Sequence, residues 1–405
     1  MTAIKEFFKK ETVLCVAGAA ALLSVFFVPV NTGYLEYINF RVLILLYCLM
    51  AVVQGFKDIG VFDTMSASLL KRAHDQRTVA LLLVLTCMAL SMFITNDVTL
   101  VTMVPFTIMT FERLGCVGKD LINCLVMETV AANLGSMLTP LGNPQNLYLY
   151  AKYGYTMPDF IKLMLPLFIL SLLLIVLLTF FSMGKGSSNV PAVKCDFDGG
   201  QSQATKENAN ITVGQAQLQA SISTSYKNNE KTKEMKLLIF LLLFVLCILT
   251  VAKVFNEYVL FVGITAAMLI TDRKALRNVD YLLLLTFVFF FIFSGNMGKL
   301  TAVSNLIEQL IKGRALLISI VVSQIISNVP AAVLLSNFTA NGRALILGTN
   351  IGGLGTLIAS MASLITYKLY AAQSFAETGK FVRRFTLINL ALLVILYLAV
   401  VVVFQ

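Results

Sequence analysis

Apolar residues arrive in runs of about 15 to 20, the length that spans a bilayer core as a helix. Two such runs open the chain, about 12–30 and 41–56, and two more open its last third, about 257–271 and 281–297. After each pair comes a shorter segment, then a long apolar stretch interrupted once. The interruption is Thr95-Asn96 in one case and Ser327-Asn328 in the other. A helix broken by glycines follows, about 120–150 and 343–370, and then a closing span, about 160–182 and 384–404. One apolar run, about 236–253, has no counterpart. The pattern predicts an all-α polytopic membrane protein.

The pattern is also duplicated. ETVLCVAGAA from Glu11 matches EYVLFVGITA from Glu257, and Gln54-Gly55 matches Ser294-Gly295. Thr95-Asn96 matches Ser327-Asn328, and NLGSMLTPLGNPQNLYLYA from Asn133 matches NIGGLGTLIASMASLITYKLYA from Asn350. Four matches in the same order point to an internal repeat. The expected organisation is a first transmembrane repeat over 1–183, a linker over 184–235, an extra linking helix over 236–256 and a second repeat over 257–405. The linker is rich in Ser, Gln, Asn and Lys and poor in aromatics, which is the composition of a disordered segment. If the two interrupted stretches are re-entrant hairpins, each half crosses the membrane four times. The one extra crossing then inverts the second repeat relative to the first.

Composition agrees. The chain is 58% hydrophobic and 13% charged, where a soluble domain is about 45–50% apolar and about 25% charged. The net charge of +10 would suggest a nucleic-acid partner in a soluble protein. Here the cations gather on one side of the expected topology: Lys5, Lys9, Lys10, Lys71, Arg72, Arg77, the linker lysines, Arg273, Lys274, Arg277, Lys380, Arg383 and Arg384. The positive-inside rule then places the N-terminus and the linker in the cytoplasm and the C-terminus outside, in a multi-pass protein of the cytoplasmic (inner) membrane. No nucleic-acid partner is expected. The first apolar run lacks a small-residue cleavage site and has a counterpart at 257, so it reads as a transmembrane helix and not a signal peptide. One His, His74, and seven Cys without a CxxC pair give no metal site and no disulfide framework. No Ser-His-Asp set and no phosphate loop is present, so no enzyme is expected.

Chemistry is expected at four interruptions: Thr95-Asn96-Asp97, Gly135 to Asn146, Ser327-Asn328-Val329-Pro330 and Asn350 to Thr356. Non-helical backbone cannot face lipid, so these segments line a polar cavity or are buried in protein. The helix ends they create offer N–H groups to an anion and C=O groups to a cation. Two acids lie within apolar segments, Asp97 and Glu128. A carboxylate at that depth costs at least about 2.5–3.5 kcal/mol, which makes each a candidate for proton or cation coupling. Their counterparts in the second half are Val329 and Leu345, so the duplicated fold does not require them. The competing expectation is that an acid lies near the surface or pairs with Arg113 or Lys119.

FITNDVTLVTMVPF with NLGSMLTPLGNPQNLYLY, and SNVPAAVLL with NIGGLGTLIAS, resemble the ion transporter superfamily. The nearest branch is the citrate-transporter-like one, which includes arsenite permeases and NhaD-type antiporters. The resemblance covers nearly all the chain apart from the linker. It implies a scaffold and a transport domain, elevator-type movement, no cofactor beyond a coupling sodium or proton, and members that often form homodimers. By motif match, Thr95, Asn96 and Asp97 fall on the first hairpin tip, and Ser327 and Asn328 on the second. Asn133, Gly135, Thr139, Gly142, Asn143 and Asn146 fall on the first break. Asn350, Gly352, Gly353 and Thr356 fall on the second. Sodium-coupled carboxylate carriers have Ser-Asn-Thr at both tips. Thr-Asn-Asp and Ser-Asn-Val depart from that and lean toward the arsenite-permease side. The expected function is secondary transport of a small anion or oxyanion, carboxylate or arsenite-like, coupled to proton or sodium. The rivals are a sodium/proton antiporter without an anionic substrate and a channel.

Overall fold

The structure, a computed structural model, describes residues 11–62, 64, 75–184 and 213–404. His74, Lys5, Lys9, Lys10, Lys71, Arg72 and much of the expected linker lie outside the described residues. All described regular structure is helical. The first half contains α1 (Thr12–Val25), α2 (Phe40–Asp58), α3 (Gln76–Ser91), α4 (Asn96–Arg113), α5 (Lys119–Gly135), α6 (Pro144–Lys152) and α7 (Met157–Ser182). Then comes α8 (Val213–Val251). The second half contains α9 (Glu257–Thr271), α10 (Tyr281–Lys299), α11 (Thr301–Ile311), α12 (Ala315–Ile326), α13 (Asn328–Leu335), α14 (Gly342–Gly352), α15 (Met361–Ala371) and α16 (Thr378–Phe404). Among the described residues, six helices are long and apolar enough to cross a membrane.

Local chemistry sets the boundaries. Asn39 caps α2 by accepting from Val42 N–H, Asn143 caps α6, Asn256 caps α9 and Asn341 caps α14. α1 stops at Val25 instead of continuing to 30, because Pro29 disfavours helical backbone just before it. α16 begins at Thr378, earlier than the expected 384. The linker reading also changes. Helix α8 starts at Val213, inside the segment expected to be disordered to 235. From Gln215 to Lys236 that stretch has no Gly or Pro and is well supplied with Gln, Ala, Lys and Glu, which propagate helix without needing an apolar face.

Two short helices, α3 and α12, end at the tips Met92–Thr95 and Ser327. At about 1.5 Å per residue, the 16 residues of α3 reach about 24 Å, short of the roughly 30 Å of a bilayer core. α12 is shorter still, at 12 residues, and α11 meets it at a bend of 116°. Packing is reciprocal between the halves. α3 lies against α5, and α12 against α14. α4 crosses to pack on α15, and α13 crosses to pack on α6. α1 lies along α10, and α2 along α9.

Close crossings depend on missing side chains. A Cβ on Gly135 of α5 would collide with Met88 O and Ser91 Oγ of α3, and one on Gly352 of α14 would come 2.8 Å from Ser323 of α12. Small residues let backbones approach without a hydrophobic driving force, which is how helices associate in lipid. Gly135→Ala is therefore expected to lower the thermal stability of detergent-purified protein by the roughly 1–3 kcal/mol that overpacking costs. A Cβ on Gly263 of α9 meets nothing within 4 Å, so Gly263→Ala is expected to melt at or above wild type. Equal melting of the two variants would contradict the close α3–α5 crossing.

Candidate functional site

The tip of each hairpin is tied to the break of its own half. α3 and α4 are joined by Met92–Thr95, and Asn96 N–H donates to Gly142 O at 3.1 Å. α12 and α13 are joined by Ser327 alone, and Asn328 N–H donates to Ala359 O at 3.0 Å. The first amides of a helix have no intrahelical acceptor, and here the opposite segment's carbonyl takes that place. Ser327 holds φ at 75°, a strained region for a residue with a Cβ. Its Oγ also donates to Ala359 O at 3.3 Å.

Side-chain amides then join the two halves. Asn96 Nδ2 donates to Asn133 Oδ1 at 3.0 Å, and Ser360 Oγ donates to the same oxygen at 3.0 Å. Asn133 Nδ2 reaches Ser363 Oγ at 3.4 Å. Asn143 Nδ2 donates to Ser136 Oγ at 2.9 Å and to Asn350 Oδ1 at 3.4 Å. Asn350 Nδ2 donates to Asn146 Oδ1 and to Ile346 O, both at 2.7 Å. All these residues are buried. The result is one layer at which α4, α6, α13 and α15 begin and α3, α5, α12 and α14 end. Positive and negative helix ends therefore face one another across a few residues.

The structure thus brings together Asn96, Asn133, Gly142, Asn143, Asn146, Ser327, Asn328 and Asn350. Gly353 abuts Asn328, since a Cβ there would be 2.9 Å from Nδ2. Thr139 and Thr356 anchor the breaks: Thr139 Oγ donates to Met92 O, and Thr356 N–H donates to Gln324 Oε1 at 3.0 Å. Gly135 and Gly352 serve the helix crossings described above. Thr95 lies on the other side of the tip, in a small gap with Leu49, Val53 and Val98. The second break is longer than the motif suggested. It runs past Thr356 to Ser360, while Asn350 remains in the last turn of α14.

The sequence motifs do not single out Ser136, Gln145, Gln324, Ser360 and Ser363. Gln324 Nε2 donates to Gly352 O at 2.8 Å and Leu354 O at 2.9 Å, which satisfies the unwound carbonyls of the second break. Small hydroxyl residues inside the GLGTLIASMAS stretch were the available signal for Ser360 and Ser363.

The two acids differ. Asp97 is partly exposed in the first turn of α4, its own N–H donating to Asn96 Oδ1 at 3.0 Å. Glu128 is 0% exposed on α5. Thr107 Oγ donates to its Oε1 at 2.5 Å, and its Oε2 has no partner. The two ion pairs among the described residues are Lys236–Asp272 and Lys380–Glu377, so neither Arg113 nor Lys119 neutralises Glu128.

Of two cavities, one reaches the layer. This one, of about 540 Å3, runs from Glu11, Asp280 and Lys368 at the end where α1 starts to Ser327 at the second tip. The other, of about 630 Å3, lies at the opposite end between Arg41, Lys152, Glu257 and Asn337, with Tyr148 and Ser294 among its walls.

The family described as citrate transporter matches residues 3–342. The chain belongs to the citrate transporter family. It is similar to an uncharacterized transporter of Methanocaldococcus jannaschii, 31% identical over 82% of this chain and 81% of that protein. It is also similar to the inner membrane protein YbiR of Escherichia coli, 30% identical over 85% of this chain and 84% of that protein. The P protein of Mus musculus is 31% identical over 34% of this chain and 17% of its own length. This citrate transporter family member is accordingly a membrane transporter and not an enzyme.

In this transporter the asparagines cross-tie the two breaks. Asn350→Ala leaves Asn146 Oδ1 and Asn143 Nδ2 each short of a partner, at about 1–3 kcal/mol per buried unsatisfied group. It is expected to destabilise the purified protein by that order. Combining it with Asn143→Ala is expected to cost less than the sum of the single changes. Strict additivity would show that the two side chains do not share a network.

Proposed function

We propose that this chain is a secondary active transporter of a small anion or oxyanion, working by elevator-type alternating access and coupled to a proton or sodium ion. The observation that carries the reading is the common layer at which α4, α6, α13 and α15 start, so that four positive helix ends gather at one buried level. Helix N-termini favour negative charge. The printed family name, citrate transporter, supports a carboxylate as the first substrate to try, with arsenite as the oxyanion alternative. The layer divides the protein into elements that meet there and elements that frame them, chiefly α1, α2, α9 and α10, which supports a moving part against a scaffold. The positive-inside pattern supports a cytoplasmic N-terminus, an external C-terminus and the inner membrane. A homodimer is in keeping with the family resemblance.

Asp97 is the coupling acid in this reading. It adjoins the first tip, is accessible in part, and its place in the second repeat is taken by Val329. A negative carboxylate beside an anion repels it, and a bound proton or sodium removes that repulsion, so cation and anion load together. Glu128 supports the sodium/proton antiporter as a second reading, because both acids lie in the first half and Glu128 is sealed with its Oε2 unpartnered.

Proteoliposome uptake under imposed pH or sodium gradients tests this. Asp97→Asn is expected to retain anion exchange at equal gradients but to lose the acceleration that the cation gradient gives the wild type. Unchanged gradient dependence in an active Asp97→Asn protein would remove Asp97 from coupling. Cation efflux that no anion affects, abolished by Glu128→Gln, would favour the antiporter.

A further inference from the structure

We propose that Gln145, in the first turn of α6, supplies the hydrogen-bond donors that hold an oxygen of the transported anion. The inference rests on the anion reading above and says where in the layer that oxygen sits.

The amides of Asn96, Asn133, Asn143, Asn146 and Asn350 are committed elsewhere, whereas Asn328 at the second tip has only its Oδ1 engaged, by Ser327 Oγ. Asn96 Nδ2 is spent on Asn133, and Asn133 Nδ2 on Ser363. Asn143 Nδ2 goes to Ser136 and Asn350, and Asn350 Nδ2 to Asn146 and Ile346. Asn146 Nδ2 lies 3.5 Å from Ser136 O and 3.4 Å from Met137 O. A substrate that took these donors would undo the cross-ties that hold the breaks together. Gln145 sits among them, is 1% exposed, and its Nε2 has no partner among the described residues. A buried donor left unmet costs about 1–3 kcal/mol, a cost that structure alone does not explain here.

The backbone adds a second donor at the same residue. Pro144 has no N–H. Asn146 N–H donates to Asn143 Oδ1, and Leu147 N–H to Asn143 O. Gln145 N–H is second in the helix and has no intrahelical acceptor. The side chain and main chain of one residue thus present donors at the positive end of the nine-residue helix α6. The direction follows from helix geometry. Tyr148, three residues on and so on the same face, hydrogen-bonds Ser336 next to the C-terminal end of α13 at 2.8 Å. Gln145 therefore lies one turn deeper on the face that α6 turns to α13, toward the start of α13 at Asn328. The ligand that fits an unmet side-chain donor and an unmet main-chain donor at a helix N-terminus is a carboxylate or oxyanion oxygen.

The test uses the full-length protein in proteoliposomes, with citrate, succinate, sulfate and arsenite as probes and the best wild-type substrate carried forward. Gln145→Leu removes a donor with no partner in the anion-free protein. It is expected to leave the anion-free melting temperature at or above wild type, yet to raise KM at least about tenfold, the value of one hydrogen bond to a charged group. Gln145→Glu is expected to abolish saturable uptake. A shorter donor, Gln145→Asn, is expected to fall between wild type and Leu in KM. An unchanged KM in Gln145→Leu would overturn the proposal, as would a loss that only tracks lost stability. If the wild type takes up none of the four anions, the anion reading itself fails and this inference falls with it.

Discussion

Everything in this protein follows from two amides that cannot be left unmet. Asn96 N–H and Asn328 N–H open helices that begin partway across a bilayer, where no water is available to receive them. Each is met by a carbonyl of unwound backbone, Gly142 O and Ala359 O. The tip and the break are therefore one device, because neither could lie at that depth without the other. The device occurs once per half, with donor and acceptor in the same order along the chain.

The device also explains why the centre is rich in asparagine. Unwinding two helices exposes more main-chain groups than the tips can meet. Gln324 takes two carbonyls of the second break, Thr139 reaches the end of α3, Asn146 and Asn350 reach carbonyls of their own halves, and the asparagine side chains bond one another across the boundary between halves. Polar residues at this depth thus divide into two kinds. Those with every donor engaged belong to the frame. Among those with an open valence, which include Thr99 on α4, we assign Gln145 at the start of α6 and Glu128 on α5 to something the protein does not itself supply.

Much of this was legible in the sequence. Apolar runs of membrane length gave the helices, since that signal is periodic and long. Asn133, Asn143, Asn146 and Asn350 could be marked because a polar amide in an apolar run needs a reason. Their roles could not be read, because a side chain's partners lie more than 200 residues away, as Asn143 and Asn350 do. Ser360 and Ser363 escaped for a related reason. Serine is unremarkable in a membrane helix until its acceptor is known. The first turns of α8 escaped because polar helix-forming residues without an apolar face resemble a disordered segment by composition. Glu128 could be marked as an anomaly, but its lack of a counter-charge emerges only when Thr107 is found beside it and no lysine or arginine is.

The central claim is that the two halves form one substrate position reached from one end at a time. Ser327 is the residue to follow, because it is at the strained second tip and at the inner limit of the cavity that opens past Asp280 and Lys368. In a protein freed of its other cysteines and carrying Ser327→Cys, labelling by a membrane-impermeant maleimide is the direct measurement. The account predicts reaction from the Asp280 side, protection when the transported anion is present at saturating concentration, and no simultaneous access from both faces. Labelling from both faces at equal rates, undiminished by any transported anion, would contradict it.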